Sequence, residues 1–239
     1  MPGRLDVGAA IRRVFAIYVD QAPVLMPAAA VVFVFTGIVS GALVAAASGL
    51  ALVALLIGLV ATTLFTGMVV KLVADIQDGR RDASVRQLFD AVVPVLGPLL
   101  AVGIVAGLGI VVGFLLLVIP GLVLVTLWSV AAPVVVLERP PGLGALARSR
   151  ELVRGNGWQV FGVIFVLGIL VSVLAAAIDV AAQSAGTGLG IVVRVVLGVL
   201  TAPLSALAAA VLYFELRGAR QPDATSAAPP ADAGSSGGA

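Results

Sequence analysis

Residues 95–138 read VLGPLLAVGIVAGLGIVVGFLLLVIPGLVLVTLWSVAAPVVVLE, and no charged side chain interrupts them before Glu138. This stretch decides the fold. One bilayer crossing takes about 20 apolar residues of helix at a rise of about 1.5 Å each, so the stretch holds two crossings in succession. Pro120 and Gly121 stand where a tight turn is expected, giving spans 95–119 and 122–137. The second span is short, and its crossing draws on Pro120 and Gly121 at one end and Glu138 at the other.

Outward from this pair, four more apolar runs occupy residues 22–47, 50–70, 159–182 and 190–214. The expected fold is therefore all-α: a polytopic membrane bundle of six transmembrane helices arranged as three hairpins, filling residues 1–217. Apolar residues make up 61% of the 239, charged residues 11%, and mean hydropathy is +1.21. No soluble core needs so much apolar mass. Arg12 and Arg13 precede the first run as they would in a signal peptide, but that run is about twice the length of a signal peptide's apolar region, so an uncleaved span is expected.

The connections are of two kinds. Ser48 with Gly49, Pro120 with Gly121, and residues 183–189 form short turns without charge. The other connections carry Lys71, Arg80, Arg81 and Arg86, then Arg139, Arg148, Arg150 and Arg154, while Arg4, Arg12, Arg13, Arg217 and Arg220 flank the bundle at its two ends. With six spans these residues fall on one side, and only Arg194 falls toward the other. The positive-inside rule then places both termini in the cytoplasm of a multi-pass cell-membrane protein. The pI near 9.7, with a net charge of only +2, reflects this sidedness, and no nucleic-acid partner is expected.

Between the runs lie amphipathic segments. Val7, Ile11, Val14, Phe15 and Tyr18 are spaced to share one helical face, as are Val85, Leu88, Phe89 and Val92. A shift of 74 positions superposes Ile11 on Val85, Arg12 on Arg86, Val14 on Leu88 and Phe15 on Phe89. With the basic segment 142–154 as a third, the reading is three units, each a cytoplasmic interfacial helix followed by a hairpin. Residues 218–239, rich in Pro, Ala, Ser and Gly, are expected to be a disordered cytoplasmic tail.

Cysteine and histidine are both absent, which removes thiolate chemistry, the commonest metal ligand and the neutral-pH proton shuttle. No catalytic, cofactor-binding or metal-ligating residue stands out, and no cofactor is expected. Asp179 and Arg194 flank the last external turn at comparable distance and are expected to form an ion pair. Hydroxyls fall one turn apart at Thr36 and Ser40, Thr62 and Thr66, Thr126 and Ser129, and Thr201 and Ser205; each is expected to bond a backbone carbonyl of its own or a neighbouring helix. Small residues recur every fourth position at Gly37, Gly41 and Ala45, Gly103 and Gly107, Gly109 and Gly113, and Gly198, Ala202, Ala206 and Ala210, a pattern that lets helices approach closely. Pro27, Pro133 and Pro203 are expected to kink their helices.

Ile119-Pro-Gly-Leu, then residues 127–138 (LWSVAAPVVVLE) and 145–158 (ALARSRELVRGNGW), together with Asp75, Gly79 and Phe89, resemble an uncharacterised prokaryotic membrane family. That family is similar to the membrane domain attached to some glycerophosphodiester phosphodiesterases. The resemblance implies a six-helix fold in a prokaryotic cytoplasmic membrane. It does not imply phosphodiester hydrolysis, which belongs to a separate soluble domain. Arg148, Arg150, Arg154 and Trp158 form the basic motif of the resemblance and are candidate contacts for anionic lipid headgroups, beyond the lipid bilayer itself. The function expected is non-enzymatic, a scaffold, anchor or accessory protein; the alternative is a small-solute or lipid transporter or channel. A lipid-processing enzyme would need convergent carboxylates, for which Asp75, Asp78, Asp82 and Asp90 are the candidates.

Overall fold

A computed structural model describes residues 5–79, 84–184 and 187–220. The tail from residue 221 and the side chains of Asp179 and Arg194 lie outside the described residues. Every regular element described is helical: α1 (Val7–Asp20), α2 (Ala22–Ala46), α3 (Ala51–Gln77), α4 (Val85–Val92), α5 (Leu96–Leu116), α6 (Val118–Trp128), α7 (Ala131–Glu138), α8 (Gly144–Val153), α9 (Gly157–Ser184) and α10 (Thr187–Arg220). They supply six segments long and apolar enough to cross a membrane, with α6 and α7 together making the fourth.

The three-unit plan holds. α1, α4 and α8 each precede a hairpin, and the closest helix pairings are α2 with α3, α5 with α6, and α9 with α10. The internal correspondence extends to burial: Val14 and Leu88 are buried, whereas Phe15 and Phe89 are exposed at 37% and 43%. Each phenylalanine thus stands apart from the buried residue with which its spacing grouped it. On α1 the packed face is turned toward Ala10, Val14 and Ile17. Local caps start α1 and α4: the Asp6 side chain accepts from Ala9 N–H at 3.1 Å, while Ser84 and Gln87 form a reciprocal box at α4.

The hairpin at the centre of the sequence argument turns at a different residue from the one expected. α5 ends at Leu116, Leu117 alone is extended (φ −165°, ψ 149°), and α6 already contains Pro120 and Gly121. Proline is tolerated there because first-turn N–H groups have no helical acceptor. Gly121 serves close approach: a Cβ on Gly113 would stand 3.1 Å from the Gly121 backbone, and one on Gly121 would stand 2.5 Å from the Phe114 ring. The fourth span is then broken between Trp128 and Ala131, ahead of Pro133, whose ring cannot continue the ladder of α6. α2 and α10 run through Pro27 and Pro203 as unbroken helices.

Packing is uneven along the bundle axis. Buried side chains concentrate where α1, α4, α7 and α8 gather against the ends of the spans: Val14, Leu25, Phe65 to Val73, Leu88, Val130, Val134, Leu152, Val160 and Leu207 to Leu216. At the other end Ile38, Leu55 and the run Leu115 to Ile119 are exposed, Leu115 at 80%. The interior lies toward the basic end.

Candidate functional site

The basic end also holds the principal polar assembly among the described residues. α7 stops at Glu138 because Arg139 adopts a left-handed conformation (φ 49°) and Pro140 and Pro141 follow; Gly142 (φ 53°) completes the reversal into α8. The reversal brings α8 alongside α7 and α6. Arg148 Nε then donates to Glu138 Oε2 at 2.9 Å, and its Nη1 to Glu151 Oε2 at 3.2 Å. From α10 the buried Tyr213 hydroxyl donates to Glu138 Oε1 at 2.9 Å. Both oxygens of Glu138 are thereby engaged. The Glu138 hydrogen bond is the chief reason the Arg148 guanidinium is held above its usual pKa, against the opposing effect of burial.

Two further contacts tie α8 into place. Ser149, fully buried, donates to the Leu127 carbonyl at 2.7 Å. Leu127 lies in the last turn of α6, where carbonyls lack a continuing helix to bond them. Arg220, the last residue of α10, donates to the carbonyls of Glu151 and Arg154 and so caps the C-terminus of α8. On the other flank, Arg13 of α1 pairs with Glu215 of α10 at 2.8 Å, and the Tyr18 hydroxyl donates to the Leu200 carbonyl at 3.0 Å. Leu200 lies in the turn before Pro203, whose ring disturbs the helix ladder. Burial raises the Tyr18 pKa above its ordinary value.

The structure divides the four candidate headgroup residues. Arg148 is committed to Glu138 and Glu151. Arg150 and Arg154 are exposed, and Trp158 is 82% exposed. Trp158 starts a run of stacked rings along α9, with centroids 5.4 Å apart from Trp158 to Phe161 and again from Phe161 to Phe165. Of the candidate acids, Asp75 is buried and bonded to Lys71 at 2.7 Å, Asp90 lies exposed 4.0 Å from Arg86, Asp78 follows the end of α3, and Asp82 is outside the described residues. Among the described residues no carboxylate cluster is arranged to hold a metal ion.

Within the spans the hydroxyls close on backbone. Thr36 bonds the Val32 carbonyl at 2.6 Å, Thr62 that of Gly58 at 2.9 Å, Thr66 that of Thr62 at 2.8 Å, Thr126 that of Leu122 at 2.8 Å, and Ser129 that of Thr126 at 2.9 Å. Ser205 bonds the Ala202 carbonyl, and Ser40 reaches across the first hairpin to Ala54. Small residues pack unevenly: a Cβ on Gly109 would stand 2.6 Å from the Trp128 ring, whereas Gly103 and Gly107 face open space. Gly67, where a Cβ would meet Val92 at 2.5 Å, belongs to none of the spaced stripes. Compared with protein-family models, curated proteins and solved structures, the chain matches none.

Proposed function

We propose that this chain is a non-enzymatic scaffold, anchor or accessory protein of a prokaryotic cytoplasmic membrane, with both termini in the cytoplasm and anionic lipids as partners on that face. The observation that carries the reading is the basic-end assembly. It joins the three units through Arg13 with Glu215, Arg148 with Glu138, and Tyr213 with Glu138. A platform fixed at one end, above spans in which Thr36, Thr62, Thr66, Thr126, Ser129 and Ser205 bond carbonyls close by in sequence, suits a protein that presents a surface. Sidedness of Lys and Arg supports the orientation. The resemblance of residues 127–138 and 145–158 to an uncharacterised prokaryotic membrane family supports the setting.

Affinity purification from native membranes, followed by identification of bound proteins, tests the role. A partner retained by the parent chain and lost on Arg13→Ala or Glu138→Ala is the expected result; no partner in any preparation would remove the scaffold reading. Small-solute or lipid transport keeps one specific support, a cavity of about 350 Å³ that Ser129, Ser172 and Ser205 help to line between α6, α9 and α10. Solute flux into proteoliposomes, or lipid movement between their leaflets, would favour it.

A further inference from the structure

A lateral groove of about 570 Å³ runs between α6 and α9, lined by Leu122 and Val125 on one wall and by Phe161, Phe165 and Gly168 on the other. It shares Val125, Ile164, Gly168 and Ser172 with the serine-lined cavity, so the two adjoin across these residues. Phe165 and Val173 on its lip are half exposed or more, and the groove opens sideways from the bundle. Nothing lies within 4 Å of where a Gly168 Cβ would stand, which leaves room in the wall for a guest.

Charge identifies the guest. The two carboxylates nearest this end in sequence, Glu138 and Glu151, are both taken by Arg148. Arg150 and Arg154 make no ion pair among the described residues. Arg154 stands four residues before Trp158, across the Gly155 turn (φ 100°), and Trp158 begins the stacked rings that lead to Phe161 and Phe165 in the groove wall. Positive charge, an exposed indole and an apolar channel therefore follow one another from the end of α8 into the start of α9. That is the sequence of chemistries along a phospholipid: phosphate, glycerol interface, acyl chain.

We infer that the groove between α6 and α9 is a binding site for one anionic phospholipid, its phosphate held by Arg150 and Arg154 and one acyl chain lying along Phe161, Phe165 and Gly168. This rests on the anionic-lipid partnership proposed above and narrows it to a single site from which Arg148 is excluded.

The test uses the full chain in vesicles containing equal parts of phosphatidylglycerol and phosphatidylcholine, with bromine on the acyl chains of one lipid at a time. Trp128→Phe leaves Trp158 as the only indole. Brominated phosphatidylglycerol should quench its fluorescence with an apparent preference of about thirtyfold over brominated phosphatidylcholine, about fivefold per arginine. Arg150→Gln with Arg154→Gln should abolish the preference, and Gly168→Leu, which fills the groove, should abolish it with both arginines in place. Should Trp128→Phe misfold, native mass spectrometry of the unaltered chain reads the same outcome as one retained phosphatidylglycerol. Equal quenching by both lipids overturns the site, as does a preference that survives both sets of substitutions. A dimer that shields Trp158 and retains no lipid assigns the groove to a second copy instead. Both leaflets contain both lipids, so the result does not depend on orientation, and it is separate from whether a protein partner co-purifies.

Discussion

The two ends of this bundle are built by different rules. At the basic end α1, α4 and α8 cover the span ends, α7 among them, side chains are buried, and hydrogen bonds cross between units; at the opposite end, around Leu55 and Leu115 to Ile119, apolar side chains face outward. Lipid is as apolar as leucine, so helices in the hydrocarbon gain little from burying leucine against leucine. Toward the polar boundary water is present, apolar burial is again favourable, and amphipathic helices have something to cover. The difference shows where cohesion resides. Contacts that fix helices relative to one another lie where water enforces them.

Substitutions can break that contrast. The largest effect is expected from Glu138→Ala, which removes the acceptor of the buried Tyr213 hydroxyl and of Arg148 Nε together, leaving Arg148 only Glu151: a loss of about 2 to 3 kcal/mol, read by equilibrium unfolding in micelles. Tyr213→Phe with Glu138→Gln should recover part of it, since fewer groups are left unmatched. Next comes Gly67→Ala, whose methyl meets Val92 at 2.5 Å and should cost about 2 kcal/mol by overpacking, whereas alanine at Gly103, which faces open space, should cost nothing measurable. Ser149→Ala leaves the Leu127 carbonyl without its donor and should cost about 1 to 2 kcal/mol.

Tyr18 gives a smaller, pH-dependent effect. Its folded pKa is raised by burial above 10.0, so its contribution is complete below about pH 10 and is lost as pH rises through the folded value. Thermal denaturation of the parent and of Tyr18→Phe should therefore diverge below pH 10 and converge above it. The smallest effect belongs to the open end: Leu115→Ala should change stability by less than about 0.5 kcal/mol in lipid. A loss there as large as that of Ser149→Ala would erase the distinction between the two ends.

Span number, the hairpin plan and the amphipathic helices were legible because hydropathy, period and charge are properties of neighbours in sequence. The turn at Leu117 was not, because Pro120 and Gly121 signal a turn equally well when one tolerates a first helical turn and the other admits Phe114. Nor was the orientation of Phe15, since apolar spacing alone permits two adjacent faces of α1. The basic-end assembly was partly visible. Arg148 stood out as a charge on the basic side, but its partner Glu138 read only as the end of a span, and Tyr213, 75 residues further on, gave no local sign at all. A lone acid closing a long uncharged stretch beside several arginines is the available clue to such a pairing.

α10 touches α1, α2, α3, α7 and α8 as well as its own hairpin partner α9. It also follows all of them in the chain. During synthesis the first two units, which meet directly where α3 packs on α4, α5 and α7, are therefore made before the helix that ties both of them to the third, and Arg13 awaits Glu215 while Glu138 awaits Tyr213. A ribosome stalled before Tyr213 leaves hairpins that touch through α3 but lack their common keystone, and cellular quality control would meet such a chain as an unlocked bundle.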